Sequence, residues 1–290
     1  MLLSRGEKIF NAINYGLLFL LAFVTIFPIL YVVSVSVTPL NVLTQYGGFL
    51  IIPREITLEA YRFILSQDLI PRAYLNTAII TTAGTSINMV LTLLMAYPLS
   101  RKHMPGRNIL LIFVLIPMLF SGGLIPLFIL VKNLSLINTF WAVILPGAIS
   151  TYYLLLMKSF FEELPQDLFE CAYLDGASEF TILFKIVLPL STPVIATLTL
   201  FYGVGQWNSF FYALMFLTDK ELQPLQVILR DLLINSMRQD VESSLEFTQL
   251  LPGETLKMAA VMLSIIPLLI IYPFLQKYFT KGLLLGSIKG

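Results

Sequence analysis

The chain has 290 residues, 57% of them hydrophobic and 12% charged, with a mean hydropathy of +0.85; a soluble domain has about 45–50% apolar and about 25% charged residues, so an ordinary water-soluble globule is excluded. Lys and Arg number 18 against 17 Asp and Glu, a net charge of +1, which leaves no cationic excess for gathering the phosphates of a nucleic acid. One cysteine, Cys171, and one histidine, His103, exclude a disulfide framework and a four-ligand zinc site built from this chain alone.

A spanning helix needs about 20 mostly apolar residues to cross about 30 Å of hydrocarbon. Six stretches free of Asp, Glu, Lys and Arg meet that test: 13–37, 74–99, 109–131, 136–157, 188–217 and 258–275. The first follows Arg5 and Lys8, yet it is far longer than a signal-peptide core of about 7–15 residues and no small-residue cleavage site follows, so it is predicted to stay as a span. The expectation is an all-α membrane protein, one transmembrane domain over 1–290 with six transmembrane helices. Its longer connections are 38–73 and 218–257 on one side and 158–187 on the other.

Orientation follows from where Lys and Arg collect near the span ends. The side holding both termini carries Arg5, Lys8, Arg101, Lys102, Arg107, Lys158, Lys185, Lys277, Lys281 and Lys289. The opposite side carries Arg54, Arg62, Arg72, Lys132, Lys220, Arg230, Arg238 and Lys257, spread mostly over two long loops. Short segments close to the membrane dominate the rule, so both termini are predicted to be cytoplasmic.

Pro28, Pro117, Gly122, Gly123, Pro126, Pro146, Pro193, Gly203, Gly205 and Pro267 fall inside these spans. Such breakers are tolerated in a bilayer where neighbouring helices satisfy the freed backbone groups. Two readings stand: kinked packing helices throughout, or a broken stretch over 119–126 beside a transport path.

All charged residues fall in loops or at span ends, so no ionisable relay for a proton-driven carrier is evident. No aspartate lies within a span and His103 lies in a loop, which argues against intramembrane proteolysis. The spans do carry neutral polar groups, among them Asn76, Tyr97 and Tyr153. Asn88, Tyr152, Tyr202, Gln206, Trp207, Asn208 and Tyr212 are the candidate substrate-pathway residues, because amides and tipped aromatic rings suit the hydroxyls and apolar faces of a sugar. The competing reading is helix-to-helix hydrogen bonding. No GxxxxGK[ST] phosphate loop occurs, so ATP energy requires a partner ATPase. The alternative is a stand-alone ion-coupled secondary sugar transporter, since sodium can be held by carbonyls and hydroxyls.

The segment 158–187 places Leu168, Phe169 and Ala172 at helical spacing among Gln166, Asp167 and Glu170, which predicts a short amphipathic helix. Gly176 suits a left-handed end to it, and Ser178 suits the cap of a second helix with Glu179 in its first turn. Glu170, Cys171, Ala172, three residues, Gly176, nine residues, then Ile186, Val187, Leu188 and Pro189 resemble the EAA, three, G, nine, I-x-L-P pattern of binding-protein-dependent ABC importer permeases. Cys171 stands where alanine is usual, a small-for-small exchange without an implied redox role. The tetrad Tyr74-Leu75-Asn76-Thr77, the pair Trp207-Asn208 and the run Tyr278-Phe279-Thr280-Lys281-Gly282 are similar to the oligosaccharide branch, particularly its second, maltose-type subunit.

The resemblance implies the six-span type I importer permease fold in a bacterial cell membrane. It implies that Glu170, Cys171, Ala172, Asp175, Gly176 and Ala177 belong to a coupling helix and its turn, docked in a cleft of an ATPase subunit. The implied partners are a second homologous permease forming a heterodimer, two ATPase subunits carrying ATP and Mg, and an extracellular sugar-binding protein delivering an oligosaccharide. This chain itself is expected to bind no cofactor and to be no enzyme. The resemblance further suggests that the tail 283–290 lies near the ATPase. An amphipathic helix is predicted over 225–237, with Val227, Leu229, Leu232, Leu233 and Ile234 apolar; lying on the membrane, covering the pathway and meeting the solute-binding protein all remain open. His103 is expected at the surface.

Overall fold

The computed structural model describes residues 5–242 and 253–287, without the side chains of Arg5, Leu233, 235–242 and 274–287. The described residues form helices and connecting turns, with no strand among them. In chain order the α-helices are α1 (Arg5–Ser36), α2 (Leu40–Gln45), α3 (Glu59–Leu65), α4 (Leu69–Ser100), α5 (Arg107–Leu119), α6 (Leu124–Asn133), α7 (Trp141–Ile144) and α8 (Thr151–Glu162). They continue with α9 (Gln166–Leu174), α10 (Glu179–Ile182), α11 (Leu188–Leu190), α12 (Thr192–Trp207), α13 (Phe211–Phe216), α14 (Leu225–Glu242) and α15 (Gly253–Ser287).

Among the described residues, three unbroken helices are long and apolar enough to cross a membrane: Gly6–Ser36, Leu69–Ser100 and Gly253–Pro273. The stretches expected as single spans over 109–131, 136–157 and 188–217 are instead broken. Arg107–Leu119 and Leu124–Asn133 meet at 115°, Trp141–Gly147 and Thr151–Glu162 at 52°, and Glu179–Leu190 and Thr192–Trp207 at 81°. Counting each bent pair as one span gives up to six.

The breaks have local causes. After α5 the chain runs through Phe120–Gly123, and Gly123 takes φ +85°, a conformation glycine adopts without a Cβ clash. The break therefore falls within the predicted 119–126 stretch. Pro146, Pro189 and Pro193 sit at the first or second position of helical segments, where the missing N–H is not needed. A π-helical stretch, Leu183–Val187, precedes α11. Within the stretch predicted as the fifth span, 188–217, α12 stops at Trp207 and α13 is a separate short helix.

The chain divides into two compact units, residues 1–70 with 229–267, and residues 71–228 with 268–290. In the first, Val35, Leu43 and Leu50 form a small core joined by Tyr31 and Met258. Tyr31 stacks on Phe49 at 5.2 Å and donates to the Gly48 carbonyl at 3.2 Å, while Tyr61 donates to the Ser36 hydroxyl at 2.8 Å. Residues 12–26 of α1 are all exposed, an apolar surface suited to lipid or to another apolar protein face.

In the second unit the main core gathers Met89, Ala96, Tyr97, Leu154, Met157, Phe161, Phe169, Ala172, Ile182, Leu183, Leu198 and Tyr202. It joins the end of α4 to α8, α9 and α12. A second cluster contains Ile80, Val143, Ile144, Ala213, Leu217 and Val227. The start of α14 is thus buried in protein, with Leu225 and Val227 inaccessible. The helix also runs beyond the predicted 237, to Glu242.

Side-chain hooks hold the turns at one end of this unit. Asn76 donates to the Glu221 and Gln223 carbonyls at 2.8 and 3.2 Å, and the Thr77 hydroxyl accepts from the Leu225 N–H at 2.8 Å. Asn138, at φ +59°, accepts with its side-chain oxygen from the Thr218 N–H and hydroxyl and from the Asp219 N–H, at 2.7, 3.0 and 3.1 Å. At the other end, Arg107 reaches back to the Leu99 carbonyl at 2.8 Å and pairs with Glu162, which Lys158 also contacts at 2.7 Å. These three half-buried charges fasten the connection before α5 to the end of α8. Of the tail predicted beside an ATPase, 283–290, the backbone is helical through Ser287, while its side chains and residues 288–290 lie outside the described residues.

Candidate functional site

The segment 158–187 forms a helical hairpin. Helix α9 begins after Pro165 with Asp167 in its first turn, where a carboxylate favours the helix dipole. It ends where Gly176 takes φ +74°, and the Ala177 N–H closes the turn on the Ala172 carbonyl at 2.9 Å. Ser178 caps α10, its hydroxyl accepting from the Thr181 N–H at 3.3 Å. The predicted helix, turn and capped helix are thereby present.

One face of this hairpin is anchored. Phe169 and Ala172 are buried in the main core, and removing a phenylalanine side chain from water stabilises by roughly 1.5–3 kcal/mol. Glu170, Cys171, Asp175 and Gly176 are exposed on the other face and Ala177 is half-buried. Leu174, which sequence reasoning passed over, is 88% exposed. Its signal was available: an apolar residue at the end of an amphipathic helix and off its buried stripe. Ala172, by contrast, faces the core and positions the helix rather than presenting it.

Next to the anchored face lies a polar cluster in which Tyr97 is buried while Tyr173 and Glu179 are exposed. Glu179 accepts from the Tyr173 hydroxyl at 2.6 Å and from the Tyr97 hydroxyl at 2.5 Å, one on each oxygen. Arg101 donates to the Tyr97 oxygen at 3.0 Å and lies over the Phe169 ring, 3.7 Å from its centroid. Burial opposes ionisation of Glu179, but the hydroxyls of Tyr173 and Tyr97 and the Arg101 charge outweigh it and hold the carboxyl below its ordinary range. Through its hydrogen bond to Glu179, and to a lesser degree its burial, the Tyr173 hydroxyl is pushed up. A cavity of about 670 Å³ opens beside the cluster, between the end of α4, residues 101–104 and α9. His103 lines it and is exposed, as expected of a surface residue.

The predicted pathway residues separate into two groups. Asn88 is 1% exposed; its amide nitrogen donates to the Ala148 and Gly84 carbonyls at 3.2 and 2.9 Å, and its oxygen accepts from the Gln206 side chain at 3.1 Å. Tyr202 is buried, shares a hydrogen bond with Thr92 at 2.8 Å and accepts from the Ser150 N–H at 3.1 Å. Trp207 is buried with its ring 6.4 Å from that of Tyr74. These side chains join α4 to α12, as hydrogen-bonded partners do in apolar surroundings. Tyr212 is half-buried and stacks on Phe216 at 6.0 Å in α13. Tyr152 is 58% exposed, backed by Tyr153 at 5.7 Å, and Asn208 is exposed at the end of α12, bonded to the Val204 carbonyl at 3.0 Å.

Residues 88–284 match the model of the family described as "binding-protein-dependent transport system inner membrane component". The chain belongs to this family. The permease is 42% identical over 285 residues to the "polygalacturonan/rhamnogalacturonan transport system permease protein" of Bacillus subtilis (strain 168), covering 98% of this chain and 99% of that one. To the "trehalose/maltose transport system permease protein" of Thermococcus litoralis it is 31% identical over 279 residues, 93% and 94% of the two chains. Among solved structures, a chain of a "bacterial ABC transporter involved in the import of the acidic polysaccharide alginate" superposes with a TM-score of 0.87 at 31% identity, over 96% of the permease and 99% of that chain. The resemblance read from the Glu170 to Pro189 motif is therefore correct: the permease is a multi-pass component of a binding-protein-dependent transport system in a bacterial membrane.

Proposed function

We propose that this chain is one of two permeases in an ATP-driven importer for an oligosaccharide, with six membrane crossings and both termini in the cytoplasm. The exposed face of α9, with Glu170, Cys171, Leu174 and Asp175, docks on an ATPase subunit that carries ATP and Mg. An extracellular binding protein delivers the sugar to a path between this chain and a second, homologous permease. Polygalacturonan, rhamnogalacturonan and alginate in the names of similar proteins favour an oligosaccharide built from uronic acids.

The observation that carries the reading is the hairpin itself: a short helix fixed by core packing on one side, bare on the other, and stopped by a left-handed glycine. A rigid exposed helix of this kind transmits a push, whereas a solvated loop dissipates it. Sugar contact is assigned to Tyr152 and Asn208, which are exposed, with Asn88, Tyr202, Gln206 and Trp207 holding the helices that present them.

The test uses the complete complex in proteoliposomes. Glu170→Lys and Leu174→Asp are expected to abolish uptake and the ATPase stimulation given by loaded binding protein. Wild-type activity in both variants overturns the docking assignment. Uptake by this chain alone, driven by an ion gradient without ATP, overturns the importer reading in favour of a secondary transporter.

A further inference from the structure

We propose that Glu179 is a positioning residue, a latch on Tyr97 through which movement of the α9–α10 hairpin is delivered to helix α4. This rests on the reading of α9 as the segment that an ATPase grips.

Three elements converge on one carboxylate. Tyr173 of α9 occupies one oxygen at 2.6 Å, Tyr97 of α4 occupies the other at 2.5 Å, and Glu179 itself opens α10. Hydroxyl-to-carboxylate bonds are charge-assisted, short and strong. Arg101, the residue that follows α4, adds a bond to the Tyr97 oxygen at 3.0 Å and covers Phe169 of α9. Arg101 thus sits between α4 and α9 while the carboxylate closes the circuit.

The cavity of about 670 Å³ makes this circuit matter. On that side α9 has open space rather than a close-packed neighbour, and packing resists a tilt only where atoms are in contact. The latch supplies the resistance that packing omits there. Beyond Tyr97, α4 carries Thr92, bonded to Tyr202, and Asn88, bonded to Gln206. A displacement of the hairpin therefore reaches α12 by a hydrogen-bonded route through α4. A separate, covalent route runs from α10 to α12 through an 81° bend, where a push is easily absorbed. The latch makes the hairpin, α4 and α12 move together.

The experiment uses the complete reconstituted importer, with both permeases, the ATPase pair and the binding protein, and measures sugar transported per ATP hydrolysed. Tyr97→Phe removes one oxygen and keeps the ring, so it preserves the packing of the fold; Glu179→Gln keeps the size and removes the charge. Each is expected to lower the ratio roughly three- to ten-fold with stimulated ATP hydrolysis retained, and the double variant to fall no further than either single one. Unchanged ratios, or single effects that multiply in the double variant, overturn the latch. A wild-type complex that moves sugar without consuming ATP overturns the importer reading instead, so the two failures are distinct.

Discussion

Glycine at position 84 is explained by a single neighbour. A Cβ there would lie 2.8 Å from Cδ of Gln206 and 2.9 Å from its amide nitrogen, the same nitrogen that bonds to Asn88. Gly84→Ala is expected to displace Gln206 and break that bond, at a cost of about 1 kcal/mol, seen as a lower melting temperature of the purified complex. In a Gln206→Ala background the same substitution is expected to be nearly neutral, and an equal penalty in both backgrounds refutes the argument. Glu162 offers a second case, since it neutralises both Arg107 and Lys158 in a half-buried setting. Glu162→Ala leaves two like charges without their partner and is expected to cost about 2 kcal/mol; a melting temperature within error of wild type would refute it.

Among the elements, the hairpin is the one whose form was most fully legible. Gly176, Ser178 and the spacing of Leu168, Phe169 and Ala172 act through local backbone geometry, which a chain encodes within a few residues. No atom approaches the site of a Cβ on Gly176, so only its φ of +74° penalises a side chain. Gly176→Ala is expected to cost roughly 1–2 kcal/mol, Gly176→Asn less and Gly176→Val more; this order is read in melting temperature and, in the complex, in stimulated ATPase activity. The Glu179 cluster adds a pH dependence. Its carboxyl titrates lower in the folded chain than in the unfolded one, so its contribution is complete above the ordinary carboxylate range and disappears as pH falls through the folded value. Wild type and Glu179→Gln are therefore expected to differ most in melting temperature at about pH 7 and to approach each other as the pH is lowered through the folded value of the carboxyl. A difference that persists undiminished at the lower pH contradicts this.

The bent spans were legible as apolar stretches but not as bends. Hydropathy reports that 109–131 prefers lipid to water; it carries no information on whether the path is straight. The 115° turn between α5 and α6 depends on the backbone at Gly123 and on what surrounds it. Similarly, Tyr202, Gln206 and Trp207 read as a polar crowd fit for a sugar, and their partners Thr92, Ser150, Asn88 and Tyr74 lie far away in sequence.

For the molecule as a whole, the described spans place no Lys, Arg, Asp or Glu within residues 74–99, 109–131 or 188–217. Discrimination between acidic and neutral sugars is accordingly expected to reside in the binding protein and the second permease. Exchanging the binding protein for one that selects neutral sugars, with this chain unchanged, should shift the preference measured by competition uptake. A preference that stays acidic would locate charge recognition in this chain. The amino-acid sequence by itself determined the membrane setting, the family and the hairpin, because apolar run length, motif spacing and helix capping are properties of neighbouring residues. Only the tertiary structure decided which polar side chains are bound to other helices and which are exposed, and that the end of α4 is tied to the hairpin through Glu179. Those facts depend on contacts between residues about 80 to 120 positions apart, which come together only when the helices are packed.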